Sequence, residues 1–274
     1  MSLDIDEARQ TPAARAELAA PCIELRHVRK VFDGGERPVL AVEDLTFTVE
    51  RGQFVSIIGP SGCGKSTLLK LISGLDRPSA GQVLIEGHEV RGPQTKVGFM
   101  LQKDLLLPWR TVIENVMVGL EVRGAPREER REKAMNLIRM VGLDGFEAAY
   151  PKHLSGGMRQ RVALARTLAV EPEILLLDEP LSALDYQTKL NMEEELVRIL
   201  RERDITVLLI THDIAEAVSV SDRVLVCSGR PGRIKAEHAL SLTKSHSPEE
   251  ARDNPDFAAA FKMLWEELKS DVDS

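Results

Sequence analysis

Two segments of this chain hold residue types that could together handle a polyphosphate. The run Gly59-Pro60-Ser61-Gly62-Cys63-Gly64-Lys65-Ser66-Thr67 fits the pattern G-x-x-x-x-G-K-[ST]. Its glycines let the backbone curl until N–H groups point at a phosphate, and a helix starting there adds positive potential. In such a loop Lys65 bridges the β- and γ-phosphates and Ser66 ligates Mg²⁺. The second segment, Ile174-Leu-Leu-Leu-Asp178-Glu179, is an apolar run ending in two carboxylates. A buried strand can carry acids only at its edge, where a cation or water meets them. Asp178 is expected to hold the Mg²⁺ shell, and Glu179 to act on an attacking water as general base or as its orienter. A third stretch, Leu154-Ser155-Gly156-Gly157-Met158 followed by Arg-Gln-Arg, places a serine and two glycines at a helix start. On its own residues it stays open between an anion-binding helix N-terminus and a plain serine N-cap, the commoner of the two.

These residues need a frame that holds them. Short apolar runs at Phe54–Ile58, 174–177 and Thr206–Ile210 read as buried strands, and Ile23–Phe32, Val39–Val49, 83–85, 97–101 and Arg223–Cys227 as further strands. Helices are expected over 65–73, 111–120, 128–141, 158–170, 187–203 and 253–269, with Gly74 and Gly142 as stops. Ala134, Leu137, Ile138 and Val141 share one helical face. Arg230-Pro231-Gly232-Arg233 reads as a turn. Buried strands alternating with helices argue for a parallel α/β sheet with crossover helices. The mainly helical stretch 103–160 interrupts that rhythm and reads as an inserted subdomain.

Bulk properties narrow the classes. A net charge of -7 gives no basic footprint for nucleic acid. No apolar run approaches the length that spans a bilayer. Residues 1–21 read as a disordered tail and have no apolar core of a secretory signal. Cys22, Cys63 and Cys227 are odd in number and widely spaced, which suggests reduced thiols rather than a disulfide framework or a zinc site.

The loop at 59–67, the Leu-Ser-Gly-Gly stretch and the Asp178-Glu179 strand end stand in the order and spacing of the ABC ATPases, and the chain from about residue 22 to 237 resembles that family. The resemblance implies a P-loop NTPase core with a parallel sheet, an antiparallel β subdomain and the inserted helical subdomain, spanning 22–240, followed by a helical extension over 241–274. It implies ATP and Mg²⁺ as cofactors. Residue by residue, it implies that Gln102 contacts Mg²⁺ or the water and relays the nucleotide state. Asp185 in Ser182-Ala-Leu-Asp185 would cross a dimer, and His212 in Thr211-His212-Asp213 would meet the γ-phosphate. Phe32 would stack on adenine, where the family more often has tyrosine; the competing reading is a core phenylalanine at a strand end. Ser155, Gly156 and Gly157 would then close the ATP site of a second copy of the chain.

The type of ABC ATPase is read from what surrounds this cassette. A free-standing cassette with a short helical insert points to an importer with separate permease subunits, and indirectly a solute-binding protein. The stretch from Gln102 through Trp109 to Val116, with Arg230-Pro231-Gly232-Arg233, is similar to the nitrate/sulfonate/taurine importer group. The expected place of work is the cytoplasmic face of the cell membrane. An alternative, a soluble ABC ATPase acting on nucleic acid or ribosomes, fits the acidic balance and the short insert less well.

Overall fold

A computed structural model of the chain describes residues 20–34, 37–240, 242 and 247–269. Residues 1–19 of the expected tail, and parts of the C-terminal stretch, lie outside the described residues.

The frame is a six-stranded sheet in the order β10-β9-β3-β8-β7-β6. It is built from β3 (Phe54–Ile58), β6 (Val97–Met100), β7 (Ile174–Asp178), β8 (Thr206–Ile210), β9 (Arg223–Cys227) and β10 (Ile234–Ala239). All neighbouring pairs are parallel except β10 on β9. The apolar strands are apolar throughout because both faces are covered. Ile174 and Leu176 face one core with Val55, Ile57, Leu208 and Ile210. Leu175 and Leu177 face the other with Phe54, Val207 and Leu209.

One face carries α1 (Lys65–Ile72) and a second sheet, β2-β1-β4-β5, entirely antiparallel. It comprises β1 (Ile23–Phe32), β2 (Val39–Val49), β4 (Ala80–Ile85) and β5 (His88–Glu89). The opposite face carries α2 (Val112–Val122), α3 (Arg127–Met140), α4 (Gly156–Ala169) and α5 (Tyr186–Glu202). Thr111 starts α2 with a full capping box, its hydroxyl accepting from Glu114 N and the Glu114 carboxylate accepting from Thr111 N. Ala134, Ile138 and Val141 of the expected apolar face are buried, with Leu137 packed beside them. The limit expected at residue 160 falls inside α4, which continues to Ala169.

Four of the described strands and α-helices are not anticipated, among them β5, only two residues long. The edge strand β10 is not anticipated because its Ile-Lys-Ala-Glu-His-Ala pattern is only half-buried, so its apolar alternation is weak. The short α6 (Ile214–Val220) packs Ile214, Ala217 and Val218 into a third core with Leu240, Ala251 and Leu264 and is too brief to show a period. The helix expected over 253–269 is α8 (Pro255–Lys269), and a short α7 (Pro248–Asp253) that is not anticipated stands before it. Pro255 excludes the helical conformation at Asn254, which stands extended at φ -69 and ψ 132.

Candidate active site

Parallel strands end at the same edge of a sheet, and that edge is where ligands bind in open α/β folds. Here β3 runs into the loop at Gly59, β6 leads to Gln102, β7 ends in Asp178-Glu179 and β8 leads to Thr211-His212. The strand order thus gathers four segments distant in the chain.

The loop between β3 and α1 requires its glycines. Gly64 has φ +96, and a Cβ there would stand 2.5 Å from Val42 Cγ1 and 2.9 Å from Ala41 O. At Gly59 a Cβ would stand 2.8 Å from that of Cys227. Lys65 curls back over the loop, its Nζ donating to Gly59 O at 2.8 Å and Pro60 O at 2.9 Å. Cys63 is buried beside it. A hydrogen bond with Cys227, together with the Lys65 ammonium, holds the Cys63 thiol down to about 6, while the same hydrogen bond and burial push Cys227 up.

At the end of β7, Asp178 is buried and hydrogen-bonded to Ser66; burial pushes its carboxyl up, against the Ser66 contact. These two hard oxygen donors fit Mg²⁺, which takes one or two protein oxygens and completes its shell with water and phosphate. Glu179 sits at φ +50, a left-handed conformation uncommon for a residue with a side chain. Its Oε2 accepts from Gln102 Nε2 at 3.1 Å, and its Oε1 lies 3.3 Å from His212 Nδ1. Three expected site residues from β6, β7 and β8 therefore meet at one carboxylate. Glu179 and His212 border a cavity of about 270 Å³ that also takes in Ser182, Leu184 and Thr211. A carboxylate held between an amide and an imidazole can orient a water and receive its proton.

The remaining expected residues lie elsewhere. Ser155 is the N-cap of α4, accepting from Met158 N at 3.2 Å, with Gly156 exposed after it. A Cβ at Gly157 would come 2.8 Å from Leu184 Cδ2, so this helix start packs under the segment leading to Asp185. Asp185 caps α5, accepting from Thr188 N at 3.0 Å, and that bond holds its carboxyl below the usual range. No hydrogen bond among the described residues joins Ser155 or Asp185 to the loop at 59–67. Phe32 ends β1, 40% exposed rather than buried in the core, with Lys30 Nζ 4.9 Å from its ring centre.

Two residues matter here that sequence reasoning passed over. Gln160, buried on α4, donates from Nε2 to Glu179 O at 3.2 Å, tying the Ser155 helix to the acid; its only signal is the Arg-Gln-Arg after Met158. Arg230, in the expected turn, donates to Gly62 O at 3.3 Å, and Gly232 packs against the Cys63 carbonyl. That turn braces the phosphate loop.

Fold and site together define a P-loop nucleotide hydrolase. The family model described as "ABC transporter" matches residues 42–182. An uncharacterized ABC transporter ATP-binding protein of Bacillus subtilis is 45% identical over 90% of this chain and 96% of its own length. The nitrate import ATP-binding protein NrtD of Synechocystis sp. is 45% identical over 80% of this chain and 83% of its own. The aliphatic sulfonates import ATP-binding protein SsuB of a Bacillus cereus strain is 42% identical over 83% and 90%. A solved dimeric ATP-binding cassette, in a post-hydrolysis state bound to ADP and Pi, superposes with a TM-score of 0.74 at 37% identity, over 80% of this chain and 98% of that one. The chain belongs to the ABC transporter ATP-binding family. It is an ATPase of that type, with ATP and Mg²⁺ as its cofactors.

Proposed function

We propose that this ATPase energises an importer for a small anion of the nitrate/sulfonate/taurine type, as a homodimer bound to separate permease subunits at the cytoplasmic face of the membrane. Behind the permease stands a solute-binding protein, and no nucleic-acid partner is involved. The working unit is 22–240, with 103–160 inserted and 241–274 as an extension. The observation that supports hydrolysis rather than mere nucleotide binding is the meeting of Gln102, Glu179 and His212 at one carboxylate.

In this reading the N–H groups of 59–67 and the Lys65 ammonium hold the β- and γ-phosphates. Ser66, Asp178 and Gln102 would hold Mg²⁺, which would supply charge neutralisation at the phosphate oxygens. Glu179 orients the water and takes its proton as the water oxygen bonds to the γ-phosphorus and the bond from that phosphorus to the β–γ bridging oxygen breaks, releasing phosphate and ADP, and His212 steadies the γ-phosphate. Phe32 stacks on the adenine through its exposed face. Ser155, Gly156, Gly157 and Asp185 complete the site of the other copy, which accounts for their place away from this chain's own phosphate loop. Turnover per molecule should then rise with enzyme concentration through the monomer–dimer range; a rate strictly linear in enzyme concentration refutes the shared site.

The anion class rests on similarity to the nitrate and sulfonate import proteins. Membrane coupling has a physical trace in Leu105 and Trp109, 55% and 71% exposed in the segment after Gln102, while Leu106 between them packs inward. Large exposed apolar side chains in a loop call for cover, and a short permease helix is the proposed cover. The test is uptake of labelled nitrate, taurine and alkanesulfonates in cells with and without the gene, alongside retrieval of the chain from detergent-solubilised membranes. Co-purification with ribosomes and not with a permease would refute it. Trp109→Ala should abolish transport and leave basal ATPase intact.

A further inference from the structure

The C-terminal helices α7 and α8 take no part in the site described above, yet they are tied to the loop that carries His212. Arg252 of α7 donates through Nη2 to Glu193 Oε2 on α5. Glu193 is fully buried, and its other oxygen lies 4.0 Å from Lys189 Nζ one turn earlier. Lys189 Nζ donates to Asp213 Oδ2 at 2.7 Å and to Glu216 Oε2 at 3.3 Å. Glu216 Oε2 accepts from the Thr211 hydroxyl, which in turn accepts from Asp213 N at 3.0 Å. The residues gripped, Thr211 and Asp213, are those on either side of His212. A second link is apolar: Ala251 and Leu264, both fully buried, share a core with Ile214, Ala217 and Val218 of α6, which begins two residues after His212.

We propose that Arg252 is a positioning residue for ATP hydrolysis, and that the C-terminal helices hold the 211–213 loop so that His212 meets Glu179. The physical argument is that a buried carboxylate needs a charged partner. Without Arg252, Glu193 draws Lys189 toward itself, and Lys189 is the cation that anchors Asp213 and Glu216. The His212 imidazole is itself exposed, and its ion-pair contact among the described residues is the 3.3 Å approach of Nδ1 to Glu179 Oε1. The inference rests on the role given to His212 above.

The test uses the full chain with Arg252→Met and Arg252→Lys. The readouts are steady-state phosphate release against Mg-ATP concentration and hydrogen–deuterium exchange of the peptides covering 211–214 and 59–66. Arg252→Met should lower kcat about five- to ten-fold with KM within about two-fold, the pattern of an interaction made in the transition state. Exchange should speed up at 211–214 and not at 59–66, and Arg252→Lys should recover most of both. An unchanged kcat overturns the proposal, with or without faster exchange. A fall in kcat without faster exchange at 211–214 overturns it too, since the effect then bypasses the loop. Should Arg252→Met not fold, Arg252→Gln is read by the same criteria. His212→Ala with native kcat refutes the role of His212 itself, separately from the hold on its loop.

Discussion

Replacing Gln160 with Leu tests whether the Ser155 helix sets the geometry of Glu179. Glu179 is held at φ +50 by contacts on both sides of its peptide: its N–H donates to Ile210 O at 2.9 Å, and its carbonyl accepts from Gln160 Nε2 at 3.2 Å and Ser182 Oγ at 3.0 Å. A left-handed conformation costs a residue with a side chain about 1–2 kcal/mol, so it persists only while the surroundings enforce it. Leu removes one of the two side-chain donors and leaves Ser182 to satisfy the oxygen, so no buried carbonyl is orphaned. The loss is then that of an ordinary net hydrogen bond, about 1 kcal/mol. If that constraint acts on the carboxylate only when water attacks, kcat falls about five-fold and KM for ATP is unchanged. The assay is phosphate release over a range of ATP concentrations, with nucleotide affinity measured by a fluorescent analogue. A kcat within two-fold of the native value would refute the reasoning, as would an equal loss of affinity.

Further expectations follow from the same geometry. Ser155→Ala should cost about 1 kcal/mol of stability and Ser155→Gly only a few tenths; melting curves check this, and if Ser155 also meets a phosphate across the dimer, both variants lose turnover although the Gly variant melts as the native protein does. Iodoacetamide labelling of Cys63, followed by mass spectrometry, should rise as pH passes about 6, the value to which Cys227 and Lys65 hold its thiol, and saturating ATP should slow it. Burial raises the Glu193 carboxyl to about 7, so its folded form binds a proton more tightly than its unfolded form. Its contribution is present below pH 4.5 and lost as pH rises through about 7, so Glu193→Gln should gain thermal stability relative to the native chain at pH 8 and not at pH 4.5. Gly64→Ala, which adds a Cβ 2.9 Å from the Ala41 carbonyl at φ +96, should abolish ATP binding; native affinity by calorimetry would refute the need for this curl.

What the sequence by itself determined is local. The phosphate loop and the Asp178-Glu179 strand end are contiguous, so their chemistry shows in residue type and spacing, and buried strands and long amphipathic helices show in their periods. Gln102, Asp185 and His212 were legible only through their resemblance to a family pattern, since a lone Gln, Asp or His carries no chemical signature. The tertiary structure decided which of these meet. In the order β9-β3-β8-β7-β6, β8 lies between β3 and β7 although it follows both in the chain. Parallel pairing is non-local, so no window of sequence encodes that Gln102 and His212 reach opposite oxygens of Glu179. The same holds for Gln160 on the Glu179 carbonyl, for Arg230 on the phosphate loop and for Arg252 on Glu193. A hydrogen bond from a side chain to a group far off in the chain is set by how the layers pack, and hydrophobic periodicity, which fixes only which face is buried, is silent about it.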